Sequence, residues 1–114
     1  MHYYDLPRIE ESIKQIREKV PVPDIFDQLA EEAAELAQAA NKMARVMRGT
    51  NPANIDEKEA IKNVIEEYTD VHVVAKDILE LQVDGLQADY KIDRWAKRLE
   101  ERDNDLRDHT EGQQ

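Results

Sequence analysis

The sequence predicts an all-α protein, and three observations support that fold class. Apolar residues recur at steps of four and three along several segments, which is the spacing of one helix face. The chain of 114 residues has only three Gly and four Pro, and 37% of its residues are charged. Such a periodic, charge-rich composition is typical of helical proteins. The length is enough for one domain, which we place at residues 1–102 as a bundle of four to five helices.

The first two predicted helices are separated by prolines. A short helix lies within residues 1–20, and Pro21-Val22-Pro23 should end it, because Pro disfavours helix at and before its own position. The second helix should run over Ile25–Arg48. Asp24 is its expected N-cap and Gly49 is its expected C-terminal stop.

Two further helices complete the predicted bundle. The third should run over Glu57–Val83. Asp56 lies just before it and Glu59 lies in its first turn, which is the spacing of a capping box. The fourth should run over Leu86–Arg102. The polar segment 103–114 lacks an apolar face, so we expect it to form a frayed or disordered C-terminal tail.

Apolar seams with heptad spacing run along the second and third helices. Both helices also carry apolar residues away from these seams, and one short chain offers few partners for them. We therefore expect oligomerisation, as a homodimer or a homotetramer, to complete the core. The seam residues are Leu29, Ala33, Leu36, Ala40, Met43 and Met47 in the second helix, and Val64, Tyr68, Val71, Ala75 and Ile78 in the third.

Each of these two helices carries a pair of carboxylates three residues apart. Glu32 and Glu35 lie on the second helix, and Glu67 and Asp70 lie on the third. At about 100° per residue, both pairs fall on the same flank of their seams. If the seams pack antiparallel, the four carboxylates converge and repel one another unless a cation joins them. Glu31 lies further round the second helix and is a candidate fifth oxygen ligand.

The ligand types indicate which metal such a site would hold. All-oxygen ligation favours Mg²⁺, with Mn²⁺ as a second candidate. A di-iron bundle would need a Glu-x-x-His motif, and the residue three positions before His72 is Thr69. The plainer interpretation is a solvated acidic face, because a chain with 26 acidic residues produces such pairs easily by chance.

Composition disfavours several other classes of function. The chain has no Cys, so neither a disulfide framework nor a cysteine-ligated zinc site is expected. Its net charge of −10, without a basic stripe along the chain, disfavours nucleic-acid binding. No apolar run has transmembrane length and no signal-peptide pattern is present, so we expect a cytoplasmic protein without a membrane partner.

The two acidic motifs resemble the signature of a known family. Glu31-Glu32-Ala33-Ala34-Glu35 matches E-E-x-x-E, and Glu67-Tyr68-Thr69-Asp70 matches E-x-x-D. Together they resemble the all-α nucleoside triphosphate pyrophosphohydrolases, the group that contains MazG, the phosphoribosyl-ATP pyrophosphatases and the dimeric dUTPases. The flanking sequence is similar to phage and bacterial MazG-like proteins, and the resemblance covers residues 26–102. The spacer between the motifs is long for MazG proper and leaves the nucleotide open.

The resemblance implies a MazG-like helical bundle with a defined activity. The implied reaction is Mg²⁺-dependent hydrolysis of a nucleoside triphosphate to the monophosphate and pyrophosphate, with metal-activated water attacking the α-phosphate. Chemistry of this kind depends on positioning and on charge neutralisation. Glu31 and Glu32 would be catalytic, with Glu31 contributing to a further ion or to the attacking water. The implied metal ligands are Glu32, Glu35, Glu67 and Asp70.

Five basic residues are candidates for binding the triphosphate of this substrate. Lys42 lies seven residues after Glu35, which places it about 10 Å further along the second helix. Each candidate also has an ordinary explanation, because Lys and Arg near helix ends favour the helix dipole and solubility. The five candidates are Lys42, Arg45, Lys91, Arg94 and Arg98.

A second class of function is a non-catalytic helical module whose seams drive assembly with a partner. Release of pyrophosphate from a panel of nucleoside triphosphates in the presence of Mg²⁺ separates the two hypotheses.

Overall fold

The fold is all-α in the part of the chain that the structure describes. The structure is a computed structural model that describes residues 5–50 and 55–112, and the regular elements in these ranges are helices. The predicted fold class is therefore confirmed. The helices are α1 (Leu6–Lys19), α2 (Val22–Arg48), α3 (Glu57–His72), a π-helical segment that continues α3 (Val73–Ile78), and α4 (Gly85–Gly112).

The chain divides into two compact units. The first unit, Met1–Leu81, contains α1, α2, α3 and the π-helical segment, and the second unit, Gln82–Gln114, contains α4. Membership of both units in a single domain over residues 1–102 stays a prediction. Among the described residues, no helix combines the length and the apolar character that a membrane span requires.

Helix α2 begins earlier than the sequence predicted and ends where it predicted. Its first residue is Val22, and Pro23 and Asp24 lie in its first turn, so the expectation that Asp24 is the N-cap is wrong. The physical reason is that the first turn needs no intrahelical N–H donors, and Pro is therefore tolerated there. Gly49 ends the helix with a left-handed φ of 74°, as expected of a C-terminal Gly stop.

Helix α3 begins at its predicted cap and ends before its predicted stop. The Asp56 carboxylate accepts a hydrogen bond of 2.8 Å from the Glu59 backbone N–H. After His72 the backbone widens into the π-helical segment, in which the Leu79 N–H donates to the Val74 carbonyl at 3.0 Å. The helix was expected to continue to Val83. That expectation is wrong: the π-helical segment ends at Ile78, and Glu80, two residues later, has the left-handed φ of 58° that a continuing helix does not allow.

Arg17 joins α1 to the C-terminal end of the π-helical segment. Its guanidinium donates to the backbone carbonyl of Ile78 at 3.0 Å and to that of Asp77 at 2.8 Å. It also pairs with the Glu80 carboxylate at 2.7 Å. Carbonyl groups at a helix end lack intrahelical donors, and Arg17 supplies donors to two of them. Glu80 itself has a left-handed φ of 58°, which turns the chain away from the helix.

Helices α2 and α3 form the central helix pair of the first unit. Residues late in α2, such as Lys42, share a cleft with Asn63 early in α3, so the two helices run antiparallel. Among the described residues, the buried apolar side chains are Ile25, Ala39, Ala60 and Ile78.

The contact between α2 and α3 follows a different stripe from the predicted seams. We call the row of buried and half-buried residues along the facing side of each helix its contact stripe. They include Leu29, Leu36 and Val64 as predicted, but Ala33, Ala40 and Tyr68 of the predicted seams are exposed. The contact stripes consist of Ile25, Leu29, Glu32, Leu36, Ala39, Met43 and Val46 on α2, and of Ala60, Val64, Glu67, Val71, Val74 and Ile78 on α3 and the π-helical segment.

Helix α4 is longer than the sequence predicted. It starts after Asp84, whose carboxylate accepts a hydrogen bond of 3.1 Å from the Gln87 N–H, and it continues to Gly112. The sequence predicted a frayed or disordered tail from residue 103, whereas the structure has residues 103–112 in the helix. Residues 113–114 of that predicted tail lie outside the described residues. The side chains of this helix are mostly exposed, and Trp95 retains 69% of its accessible surface.

Candidate metal centre

Four carboxylates converge between α2 and α3. One oxygen atom from each of Glu32, Glu35, Glu67 and Asp70 can be chosen so that all four atoms lie within 4.8 Å of one another. The antiparallel arrangement produces this convergence, because each helix presents an acid pair at i and i+3 at the same level of the helix pair. The structure thus brings together the four carboxylates that the sequence singled out as candidate metal ligands.

Two members of the cluster lie in the contact stripes rather than beside them. Glu32 and Glu67 are half-buried, and the Oε2 atom of each is buried without a hydrogen-bond partner among the described residues. The Oε1 atom of Glu32 accepts a hydrogen bond of 2.7 Å from Gln28. Buried polar atoms without partners are costly, so these two oxygens are the atoms that gain most from a bound cation.

The electrostatics of the cluster affect Glu67 most clearly. Burial raises the pKa of the Glu67 carboxyl above its ordinary value, and the neighbouring Glu35 side chain raises this pKa further. The negative charges of Glu35, Asp70 and Glu66 act in the same direction. Each of these effects disfavours the ionised form. A cation among the four carboxylates would oppose all of them.

The donor set is suited to a hard divalent cation. Carboxylate oxygens are the ligands that Mg²⁺, Mn²⁺ and Ca²⁺ prefer, and the cluster contains neither a thiolate nor an imidazole. Each helix also contributes one buried oxygen without a hydrogen-bond partner in the described part of the chain. These two oxygens already point into the cluster, where a metal ion would bind. The residues present therefore fit a divalent metal ion.

A cleft of about 570 Å³ adjoins the carboxylates. Its volume is within the range of small-molecule binding sites. Glu35 and Glu67 of the cluster line it, together with the predicted phosphate-binding residues Lys42 and Arg45. The remaining lining residues are Gln38, Ala39 and Asn63. The cleft thus has carboxylates near one end of its α2 wall and cations further along the same wall.

The other predicted site residues lie elsewhere. Glu31 is exposed on α2 and is not one of the four converging carboxylates. Lys91, Arg94 and Arg98 share one face of α4, where they line a separate hollow of about 350 Å³ with Trp95. They belong to the second unit.

Three polar residues of the site were missed by the sequence analysis. Gln28, Gln38 and Asn63 contact the cluster or line the cleft. Each lies three or four residues from a cluster carboxylate in the chain: Gln28 before Glu32, Gln38 after Glu35, and Asn63 before Glu67. Residues at that spacing share a helix face, so the signal was present.

Comparison of the chain with protein-family models, with curated proteins and with solved structures finds no match.

Proposed function

We propose that the protein is a Mg²⁺-dependent nucleoside triphosphate pyrophosphohydrolase with a MazG-like helical fold. The observation that supports it best is the combination of the carboxylate cluster with a cationic cleft. Glu32 and Glu67 present buried oxygens without partners, and Lys42 and Arg45 line the adjoining cleft. Such a site accommodates a cation and a polyanion side by side, as a metal-bound nucleoside triphosphate requires.

The four cluster carboxylates would hold the metal ion. When bound, Mg²⁺ supplies neutralisation of the phosphate charge and a water molecule that is more acidic than bulk water. Mn²⁺ offers the same oxygen coordination. Glu31, exposed next to Glu32 in the chain, is our candidate for orienting the attacking water or for holding a further ion.

The cations of the chain would bind the phosphates that leave as pyrophosphate. Along α2, Lys42 and Arg45 lie about 10 and 15 Å from Glu35, at 1.5 Å per residue. A triphosphate whose α-phosphate is at the carboxylates can extend toward them. Because the leaving pyrophosphate gains negative charge in the reaction, cations near it stabilise the transition state. We keep Lys91, Arg94 and Arg98 as further phosphate-binding candidates on α4.

The experiment is a pyrophosphate-release assay on a panel of ribo- and deoxyribonucleoside triphosphates with Mg²⁺, Mn²⁺ or EDTA. We expect release that depends on the divalent ion. In ¹⁸O-labelled water the label should enter the nucleoside monophosphate, because water attacks the α-phosphorus. Label in pyrophosphate, or orthophosphate as the first product, would overturn the mechanism.

We also propose that the protein is a cytoplasmic homo-oligomer, a dimer or a tetramer. Both central helices have a second row of exposed apolar residues, which we call the apolar flank. It lies about a quarter turn from the contact stripe, on the side opposite the cleft. In an antiparallel pair these rows fall on the same side of the pair. The apolar flank consists of Phe26, Ala30, Ala33, Ala37, Ala40 and Met47 on α2, and of Ile61, Ile65 and Tyr68 on α3.

The apolar flank also favours the alternative function, a helical interaction module without catalysis. Ile65 and Tyr68 retain 58% and 61% of their accessible surface, so α3 offers a hydrophobic docking face whether or not the cleft is catalytic. A protein that oligomerises but releases no pyrophosphate from any nucleotide with any divalent ion would support this alternative over the enzyme.

A further inference from the structure

The two walls of the cleft carry a pair of amide side chains. Gln38 projects from α2 and Asn63 from α3, and both line the cleft that Glu35 and Glu67 also line. Their amides have no hydrogen-bond partner within the part of the chain that the structure describes. Both residues are exposed, so their donors and acceptors are open to a ligand in the cleft.

The amide pair lies between the carboxylates and the cations. Gln38 is about 4.5 Å beyond Glu35 along α2, and Lys42 is about 6 Å beyond Gln38. On the opposite wall Asn63 is about 6 Å from Glu67 in the same direction, because α3 runs antiparallel to α2. An elongated ligand that reaches from the carboxylate end to the cationic end passes both amides.

Neutral donors are suited to this intermediate position. Another carboxylate here would repel a phosphate, and a Lys or Arg here would repel the cation that we place among the carboxylates. An amide N–H donates to a phosphate oxygen without adding charge, and each Asn or Gln side chain has two such donors. The charge along the cleft therefore changes from negative through neutral to positive.

We propose that Gln38 and Asn63 bind the middle phosphate of a metal-bound triphosphate. The inference rests on the proposed function for the ion among the carboxylates, and it extends that proposal to the length of the polyphosphate. A chain of three phosphates spans the carboxylates, the amide pair and the cations. A monophosphate reaches one of these groups at a time. The cleft is thus a length-sensitive polyphosphate site.

The test is calorimetric binding of inorganic tripolyphosphate to the full chain in Mg²⁺, which needs no turnover. Gln38→Met and Asn63→Leu remove the amide groups and keep the charge and approximate volume. Gln15→Met, on the exposed surface of α1, is the matched control. A hydrogen bond to a charged group contributes enough that we expect each cleft variant to bind about tenfold more weakly. We expect the control to bind like the wild type.

Two results would overturn the inference. One is wild-type affinity in both cleft variants, with folding verified by circular dichroism. The other is absence of tripolyphosphate binding by the wild type. The proposed function is judged separately by pyrophosphate release. If the enzyme is active but the cleft variants bind tripolyphosphate with wild-type affinity, only the phosphate-binding role of the amide pair is refuted. If the chain binds tripolyphosphate through the amides but releases no pyrophosphate, only the proposed enzymatic activity is refuted.

Discussion

Glu32 and Glu67 occupy equivalent places on facing helices. Each lies within a contact stripe, and each has a buried Oε2 atom without a hydrogen-bond partner among the described residues. The residues three before and four after are apolar in both cases: Leu29 and Leu36 around Glu32, and Val64 and Val71 around Glu67. Packing alone would favour Leu or Val at both places, so the two carboxylates lower the stability of the metal-free fold.

Removal of one cluster carboxylate should reduce stabilisation by metal. A metal that binds the native state stabilises it by mass action, so we expect Mg²⁺ to raise the melting temperature of the wild type by ~5 °C or more relative to EDTA. In Asp70→Asn this increase should largely disappear. Asp89→Asn, an exposed acid on α4, should keep it. Thermal melting of the three proteins gives the comparison. Equal gains in wild type and Asp70→Asn would show that Asp70 is not a ligand.

The same substitution should abolish most catalysis. Loss of groups that merely support metal ligands commonly costs ten- to a hundredfold in metal affinity or activity, so we expect Asp70→Asn to lose more than about a hundredfold in pyrophosphate release. Asp89→Asn should retain the wild-type rate. Retained activity in Asp70→Asn would contradict the proposed site.

The raised pKa of Glu67 predicts a pH-dependent penalty in the absence of metal. A carboxyl whose pKa is raised in the folded state contributes its stability below the unfolded pKa and loses it as pH rises through the folded pKa. Glu67→Gln should therefore raise the free energy of unfolding near pH 7 and have little effect near pH 3.5. The measurement is urea unfolding in EDTA across that range. Glu66→Gln is the matched control, because the charge of Glu66 is the weakest of the causes that raise the Glu67 pKa.

An unchanged pH profile in Glu67→Gln would show that Glu67 ionises normally in the folded chain. A decrease in stability near pH 7 would show that the carboxylate is favourably paired there. Either result would contradict the predicted loss of stability from ionised Glu67 in the absence of metal.

The apolar flank predicts a mass larger than that of one 13.3 kDa chain. Light scattering at micromolar concentration should give twice or four times this mass. Ile65→Glu places a charge in the apolar flank and should shift the protein toward the monomer. Lys62→Glu also adds negative charge to α3, but lies about a quarter turn from the apolar flank and should leave the mass unchanged. A monomeric wild type would exclude the proposed assembly.

Two glycines should differ in their response to substitution by Ala. Neither would bring an added Cβ within 4 Å of a neighbouring atom, but Gly49 has a φ of 74°. The left-handed conformation costs an L-residue about 1 kcal/mol or more, so Gly49→Ala should lower the free energy of unfolding by that amount. Gly85→Ala, at the start of α4, should leave it unchanged or raise it, because Ala restricts the unfolded chain. Equal effects in urea unfolding would contradict the role given to Gly49.

Local rules predicted the features of the fold that depend on one or two residues. The Asp56 cap and the Gly49 stop are set by short-range hydrogen bonding and backbone conformation. The predicted start of α2 and the predicted end of α3 were wrong. Pro at a first turn is compatible with helix, and nothing local marks the widening at Val73.

The sequence predicted which carboxylates form the cluster, but not that two of them are half-buried between the helices. The repeated i, i+3 spacing of the carboxylates indicated that they could converge. Their place in the contact stripes was missed because an apolar seam was assumed to exclude Glu. Helix α2 contains many alanines, so an apolar row with the right spacing could be drawn through Ala33 and Ala40. Both residues are exposed in the structure. Which of two adjacent apolar rows is buried depends on the partner helix, and a single helix does not encode it.

The contact of Arg17 with the end of the π-helical segment has a consequence for how the sequence can vary. Two of its three acceptors are backbone carbonyls, those of Asp77 and Ile78. Every residue type carries that carbonyl, so substitutions at these two acceptor positions leave the acceptors in place. An insertion or deletion before them would instead present different carbonyls to Arg17. The attachment of α1 is therefore tolerant of mutation at these two acceptors and intolerant of changes in chain length.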